Sequence, residues 1–262
     1  MSTEIDPGQQ DRAAELLARA RRGIVFTGAG VSTESGIRDF RGPNGLWKQY
    51  DPYKTADIRY FMEDPARYWT IALERWRTYK EAHPNPGHYA IAAMEEAGHV
   101  GAVVTQNTDG LHAAAGSRTV IELHGNGREV VCLDCGGREP RVKVQARLEI
   151  EMPPRCRLCG GTFIKPAVVF FGEALPQPAL VEAYARAAAA DLVLVVGSSL
   201  QVYPAADIPL EGVRAGAPLI IVNEQPTPFD GLAQVVIRAK SGAVLQDLLE
   251  KAQKLAVGRE DR

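Results

Sequence analysis

The chain of 262 residues is long enough for one large domain with a smaller insertion, and its 45% hydrophobic content is that of an ordinary globular protein. A formal net charge of -2 gives no sign of a nucleic-acid or membrane-surface binder. No run reaches the ~20 apolar residues of a membrane span. The polar residues 1–10 lack a secretory core, so the reading is a cytoplasmic protein.

Residues 11–22 (DRAAELLARARR) carry Leu16, Leu17 and Ala20 on one face and predict an amphipathic helix. Gly23 and the run 24–26 predict a short buried strand that enters the glycine-rich TGAG. Apolar runs recur at 100–105, 120–123, 164–171, 192–196, 219–222 and 235–237, with helices predicted between several of them, among them 178–190 and 205–214. Buried β-rich runs alternating with helices predict an α/β fold, a Rossmann-like parallel sheet covered by helices on both faces. Two stretches break the alternation and read as insertions. Residues 42–82 are aromatic-rich and helical in their second half, and residues 127–165 hold all the cysteines. The expected domains are thus a discontinuous core (8–126 and 166–257), a zinc-binding ribbon (127–165) and a helical insertion (42–82) packed with that small domain. Residues from about Gly258 onward are polar and expected to fray.

Gly28, Ala29 and Gly30 follow the first strand directly. Glycines there let backbone N–H groups approach a pyrophosphate, and a following helix would add its positive end. The G-x-G-x-x-G fingerprint fails at Thr33, and no acidic residue ends a strand about 20 positions on. A plain strand-to-helix turn is the alternative. The continuation, Ser32 to Arg41 (STESGIRDFR) and then GPNGLW, is long, polar and glycine-punctuated, which suits a lid. Phe40 would cover a ring and Arg41 would meet a phosphate.

Cys132-x2-Cys135 and Cys156-x2-Cys159 match each other, each followed by a Gly-Gly pair. Four thiolates close the shell of one tetrahedral zinc, so the site is read as structural, with a redox pair as the alternative. Two strands end in polar chemistry: Gln106, Asn107, Thr108 and Asp109 after one, and His124 before Gly125 in the other. Ligands of open α/β sheets sit at such carboxyl ends. His124 is therefore a candidate general base, whereas His83, His88, His99 and His112 read as structural. Later strands end in Gly197, Ser198 and Ser199, suited to phosphate, and in Asn223.

Taken together, GAGVSTESGIRDFRGPNGLW, TQNTDGLHAAAGSRTVIELHGN, the paired CxxC units, KPAVVFFGEALP, GSSLQVYPAA and IIVNEQPT resemble the sirtuins, NAD-dependent protein-lysine deacylases, of the bacterial and archaeal deacetylase-like type. The resemblance runs from about Gly23 to Leu245. It implies NAD as co-substrate, one structural zinc ion and acyl-lysine proteins or peptides as partners. It implies NAD contacts from Gly28, Ala29, Gly30, Ser32, Thr33, Asp39, Phe40, Arg41 and Trp47. Gln106, Asn107, Thr108, Asp109 and His124 would line the ribose and nicotinamide end, with Asn107 and His124 catalytic. Gly197, Ser198, Ser199, Asn223 and Ser241 would hold the pyrophosphate and adenosine half. Val168, Val169, Phe170, Phe171 and Gly172 would pair with the substrate backbone as an added strand. His124 would take a ribose hydroxyl proton, directly or by relay, and the products would be free lysine, nicotinamide and O-acyl-ADP-ribose.

Two positions depart from the family pattern. Arg38 stands where proline is usual, and a less stiff loop is expected. Thr108 replaces an aliphatic residue beside the nicotinamide pocket. Members that prefer acidic acyl groups carry a Tyr-x-x-Arg pair, absent from residues 68–73, so acetyl and apolar acyl groups are expected over acidic ones, with Arg67 and Arg75 the residues able to reach in. The rival readings are a mono-ADP-ribosyltransferase or NAD hydrolase on the same scaffold, and a non-catalytic NAD-binding adaptor.

Overall fold

The structure, a computed structural model, describes residues 6–260. Helix α1 (Pro7–Arg19) begins ahead of the stretch its periodicity marks. The Asp6 carboxylate accepts the Gly8 N–H, and Pro7 presets the first turn, a cap that apolar spacing does not reveal. Leu17 is buried while Leu16 is only partly so, and Ala20 is an extended cap rather than a helical residue.

Strand β1 (Gly23–Thr27) is buried throughout and runs into a 3-10 helix over Ala29–Ser35. After a second 3-10 turn, Leu46–Lys48, come helices α2 (Pro52–Thr55), α3 (Ile58–Glu63), α4 (Pro65–Glu81) and α5 (Pro86–Glu96). The chain continues through β2 (Val100–Thr105), α6 (Leu111–Ala114), β3 (Val120–Glu122), β4 (Gly125–Cys132), β5 (Arg138–Pro140), α7 (Arg141–Gln145) and β6 (Ile164–Val168). It closes with α8 (Gln177–Ala188), β7 (Val193–Val196), α9 (Asp207–Arg214), β8 (Leu219–Val222), β9 (Val235–Ile237) and α10 (Ser241–Glu260). Among the described residues no helix is long and apolar enough to cross a membrane.

Six strands form one parallel sheet in the order β3-β2-β1-β7-β8-β9. This is the doubly wound order of dinucleotide-binding folds, with its switch point between β1 and β7. Side chains alternate between the two faces. Val25, Val103, Leu194 and Ile220 pack beneath α1, α5 and α10, while Ile24, Phe26, Val104, Val195 and Ile221 pack against α8 and α9. Each of these large apolar side chains contributes about 1.5–3 kcal/mol on burial, which fixes the scaffold from both faces.

A second, antiparallel sheet has the order β5-β4-β6. The apolar run 164–171 therefore is not a strand of the parallel core. Pro166 has no N–H for a central ladder, and the strand pairs on the β4 side alone. Trp69 of α4 is buried against Val130, Cys132, Val144, Leu148 and Cys156, and its indole N–H donates to the Ile164 carbonyl at 2.9 Å. The cysteine-bearing segment thus borrows its apolar core from the aromatic-rich one.

Candidate functional site

The carboxyl ends of the parallel strands open into a cavity of about 750 Å³. Its wall includes Gly28, Ala29, Gly30, Asp39, Phe40, Arg41, Trp47, Gln106, Asn107 and His124, then Val169, Phe170, Phe171 and Gly172, and finally Gly197, Ser198, Ser199, Asn223 and Ser241. Of the candidates raised by the sequence, Ser32, Thr33, Thr108, Asp109 and Val168 do not line it. The wall also contains groups the sequence reading passed over. Glu224, two positions beyond the end of β8, places a carboxylate on it. Tyr203, Leu175 and Leu180 add an apolar flank.

The glycines do a different job from the one their motif suggests. A Cβ on Gly28 would lie 2.8 Å from the Gly197 carbonyl oxygen, and one on Gly30 would lie 2.7 Å from the Gly197 Cα. Gly197 itself has φ +60. These residues let the loops after β1 and β7 cross in contact at the switch point. The Gly30 N–H donates to the Gly197 carbonyl at 2.8 Å and is spent there.

Beneath this crossing lies a buried polar floor. The Asn107 amide nitrogen donates to the Gly28 carbonyl (3.2 Å) and the Ser32 hydroxyl (3.1 Å), leaving its Oδ1 for a ligand. Ser32 donates to Asp109 at 2.8 Å, so both support Asn107 from below rather than face the cavity. His88 Nε2 lies 3.4 Å from the Ser32 hydroxyl, and the His88 and His112 rings are 4.8 Å apart. Thr27 gives its hydroxyl proton to Thr105, so His112 Nε2, 2.9 Å away, is the donor to Thr27, and His112 Nδ1 is a bare, buried lone pair. Burial, reinforced by His88, pushes the His112 pKa down to about 3.

His124 sits half-buried at the end of β3. Its Nδ1 lies 3.0 Å from the Gln106 carbonyl. A carbonyl only accepts, so Nδ1 carries the hydrogen and Nε2 is left as the basic nitrogen. Burial lowers the pKa of this imidazole, opposed by that hydrogen bond. The ring is therefore neutral at neutral pH and able to accept a proton.

The lid folds on itself. Leu46 and Trp47 donate their N–H groups to the Asp39 and Phe40 carbonyls at 2.9 and 3.0 Å. In place of proline's stiffness, Arg38 ties the loop across, donating to the Asn44 carbonyl and to Gln49 Oε1, both at 2.8 Å. The Arg41 guanidinium lies 3.9 Å from the Trp47 ring centre. It has no carboxylate partner among the described residues, and desolvation lowers its pKa. An unpaired guanidinium on a concave wall fits a phosphate.

Outside the cavity, the four cysteine sulfurs lie within 4.8 Å of one another, with Cys132–Cys159 at 3.6 Å and Cys135–Cys156 at 3.7 Å. A tetrahedral ion with bonds of about 2.3 Å needs sulfur separations of about 3.8 Å, so the group fits one zinc. The two knuckles repeat one geometry. Gly136 and Gly160 donate back to the Cys132 and Cys156 carbonyls, both at 2.9 Å, with φ of +74 and +76.

Residues 28–204 match the family model described as "Sir2 family". A "NAD-dependent protein deacylase 2" of Archaeoglobus fulgidus is 47% identical over 244 residues, 93% of this chain and 96% of that protein. A "NAD-dependent protein deacetylase" of Sulfolobus acidocaldarius is 48% identical over 245 residues, 93% of this chain and 95% of that one. Among solved structures, a Sir2 enzyme superposes with a TM-score of 0.90 at 46% identity, covering 95% of this chain and 100% of that one. Another, described as Sir2Af2 bound to a myristoylated histone peptide, has a TM-score of 0.82 at 40% identity, covering 98% of this chain and 100% of its own. A third, a Sir2 with a p53 peptide and NAD+, has a TM-score of 0.84 at 41% identity, covering 92% and 97%. A doubly wound sheet, a cavity at its switch point, a four-cysteine knuckle pair and these likenesses over nearly the whole length converge: the chain belongs to the Sir2 family.

Proposed function

We propose that this protein removes acetyl and apolar acyl groups from protein lysines, consuming NAD and releasing nicotinamide and O-acyl-ADP-ribose. The observation that carries the reading is the tautomer of His124, which leaves a neutral, basic Nε2 in a cavity whose wall also bears Asn107 and the unpaired Arg41. NAD supplies an electrophilic ribose carbon from which nicotinamide departs. Gly197, Ser198, Ser199 and Arg41 would hold its pyrophosphate, and Asn223, Glu224 and Ser241 the adenosine half. Gln106 and Asn107 have spent their amide N–H groups on protein acceptors, so their Oε1 and Oδ1 are the groups offered to the ribose and the carboxamide. Ser32 and Asp109 would fix Asn107 from beneath. His124 would take a proton from a ribose hydroxyl, making it the nucleophile that accepts the acyl group. Residues 168–172 would take the peptide as an added strand. The zinc would hold the small sheet and take no chemical part.

The acyl preference rests on the helix α4 face. Arg67 pairs with Asp64 at 3.6 Å and lies 4.7 Å above Tyr60, so it is engaged elsewhere. Arg75, exposed overall and with no ion pair among the described residues, has Tyr68 and Tyr50 for company and no tyrosine three residues before it. The Sir2 structure with a myristoylated peptide supports room for long apolar chains on this scaffold. A cytoplasmic location is read from cysteines gathered as metal ligands instead of disulfides. Kinetics on acetyl-, longer acyl- and succinyl-lysine versions of one peptide test the preference. Acetyl and apolar chains should turn over faster, and faster desuccinylation would overturn it. Protein labelled with ADP-ribose without deacylation would favour the transferase reading.

A further inference from the structure

The loop after β1 makes one contact that the chemistry above does not use. Glu34 lies in the 3-10 helix Ala29–Ser35 and does not line the cavity. Its Oε2 accepts the Gly242 N–H at 2.8 Å and the Ser241 hydroxyl at 3.4 Å, both in the first turn of α10. A carboxylate at that place meets backbone N–H groups that a helix leaves unsatisfied, and it complements the positive end of the helix dipole. Ala239, Lys240 and Ser241, which lead into this turn, line the cavity. Glu34 thus ties the loop that begins one wall to the segment that closes the opposite one.

Gly242 is there to admit the carboxylate. Glycine is a weak helix former. A Cβ at this position would lie 2.9 Å from Glu34 Oε1 and 3.1 Å from Oε2, so a larger residue would push the carboxylate away. The 3-10 helix itself is held by other bonds. The Asn85 amide nitrogen donates to the Val31 carbonyl at 2.7 Å and to the Ser35 hydroxyl at 3.0 Å. Loss of Glu34 would therefore free the start of α10 while leaving the loop, and Ser32 in the polar floor, in place.

We propose that Glu34 is a positioning residue for NAD, holding the first turn of α10 at the distance from the loop after β1 at which the adenosine and pyrophosphate halves are both met. Glu34 touches neither NAD nor the reacting atoms. It acts through residues 239–241. The role rests on the reading of that segment as the adenosine side of the cavity.

The direct readout is binding of ADP-ribose, which carries adenosine and pyrophosphate without nicotinamide, measured by calorimetry on the whole chain. Glu34→Ala should weaken it about five- to ten-fold, the scale of one lost hydrogen bond to a charged group. The KM for NAD should rise by a similar factor. The kcat at saturating NAD, the KM for an acetyl-lysine peptide and inhibition by nicotinamide should stay within about two-fold, as for a loss of binding shared by ground and transition states. Glu34→Gln keeps an acceptor and should recover most of the affinity. Gly242→Ala gives a readout that stability alone would not move, since alanine favours the helix and its Cβ displaces the carboxylate. It should weaken ADP-ribose binding in the wild type and change it little beside Glu34→Ala, where nothing is left to displace. Unchanged ADP-ribose binding in Glu34→Ala, a fall in kcat as large as the rise in KM, or additive effects of the two substitutions overturns the proposal. If Glu34→Ala does not fold, Glu34→Asp, which withdraws the carboxylate by one methylene, takes its place with the same expectations. If neither folds, the tie is architectural and the proposal falls. Asn223→Ala tests the adenosine side separately. If it leaves ADP-ribose binding unmoved, that assignment is what fails, and the role of Glu34 with it.

Discussion

Acid should destabilise this protein through its buried, neutral imidazoles, His112 foremost. His112 donates from Nε2 to Thr27 and has a bare Nδ1 with no partner, so protonation would strand an N–H in the core. Its folded pKa of about 3 lies below the ordinary 6.5. The folded state thus binds fewer protons than the unfolded state between those values. The stabilisation from a neutral His112 is complete above pH 6.5 and falls as pH drops towards 3. The slope is about 1.4 kcal/mol per pH unit and the total about 5 kcal/mol. His112→Gln keeps an amide donor for Thr27 and does not titrate. Urea unfolding of both proteins at pH 7 and 4.5 cancels the carboxylates common to them. The stability difference between wild type and variant should move by roughly 3 kcal/mol against the wild type. Equal pH dependence in both proteins would refute the buried, neutral assignment.

His124→Ala should abolish turnover while NAD still binds within a few-fold. Wild-type activity should rise with pH as His124 loses its proton, with a midpoint below 6.5, because burial lowers that pKa. A midpoint above 6.5 would contradict the burial argument. The Tyr79 hydroxyl donates to the Thr108 carbonyl, which also accepts the Gly127 N–H at 2.8 Å. Burial first of all pushes the phenol up to about 12, so it remains a donor. Tyr79→Phe should loosen residues 107–109 and weaken nicotinamide inhibition by roughly two- to ten-fold, at about 0.5–1.5 kcal/mol for the bond. An unchanged inhibition constant would remove Tyr79 from the account. Metal analysis should find one zinc per chain, and Cys156→Ser or a strong chelator should lower the melting temperature without changing KM on the fraction that stays folded.

The parallel sheet was readable because its strands are β-branched runs buried on both faces, as in 193–196 and 219–222. The run 164–171 was misplaced in that sheet. Periodicity does not tell a core strand from one in a small antiparallel sheet, and the informative residue was Pro166. The Asp6-Pro7 cap was present in the sequence and outranked by apolar spacing. At the site, motif position brought Gln106, Asn107, His124 and the residues after β7 to one cavity. The reason for the glycines was not legible, because it depends on a loop more than 160 residues away meeting the first one. The polar floor was hidden for the same reason: Ser32 and Asp109 are 77 positions apart, and Thr27 and His112 are 85. His88 and His112 read as structural residues from sequence, and the fold places them directly beneath the residues that face the cavity.

The most direct test of the account is product analysis. The enzyme is incubated with NAD and an acetyl-lysine peptide, and the products are resolved by mass spectrometry. Deacetylated peptide, nicotinamide and O-acetyl-ADP-ribose should appear in equal amounts, and none of them with His124→Ala. Free acetate with plain ADP-ribose from the outset, or nicotinamide released at the same rate without peptide, would contradict it.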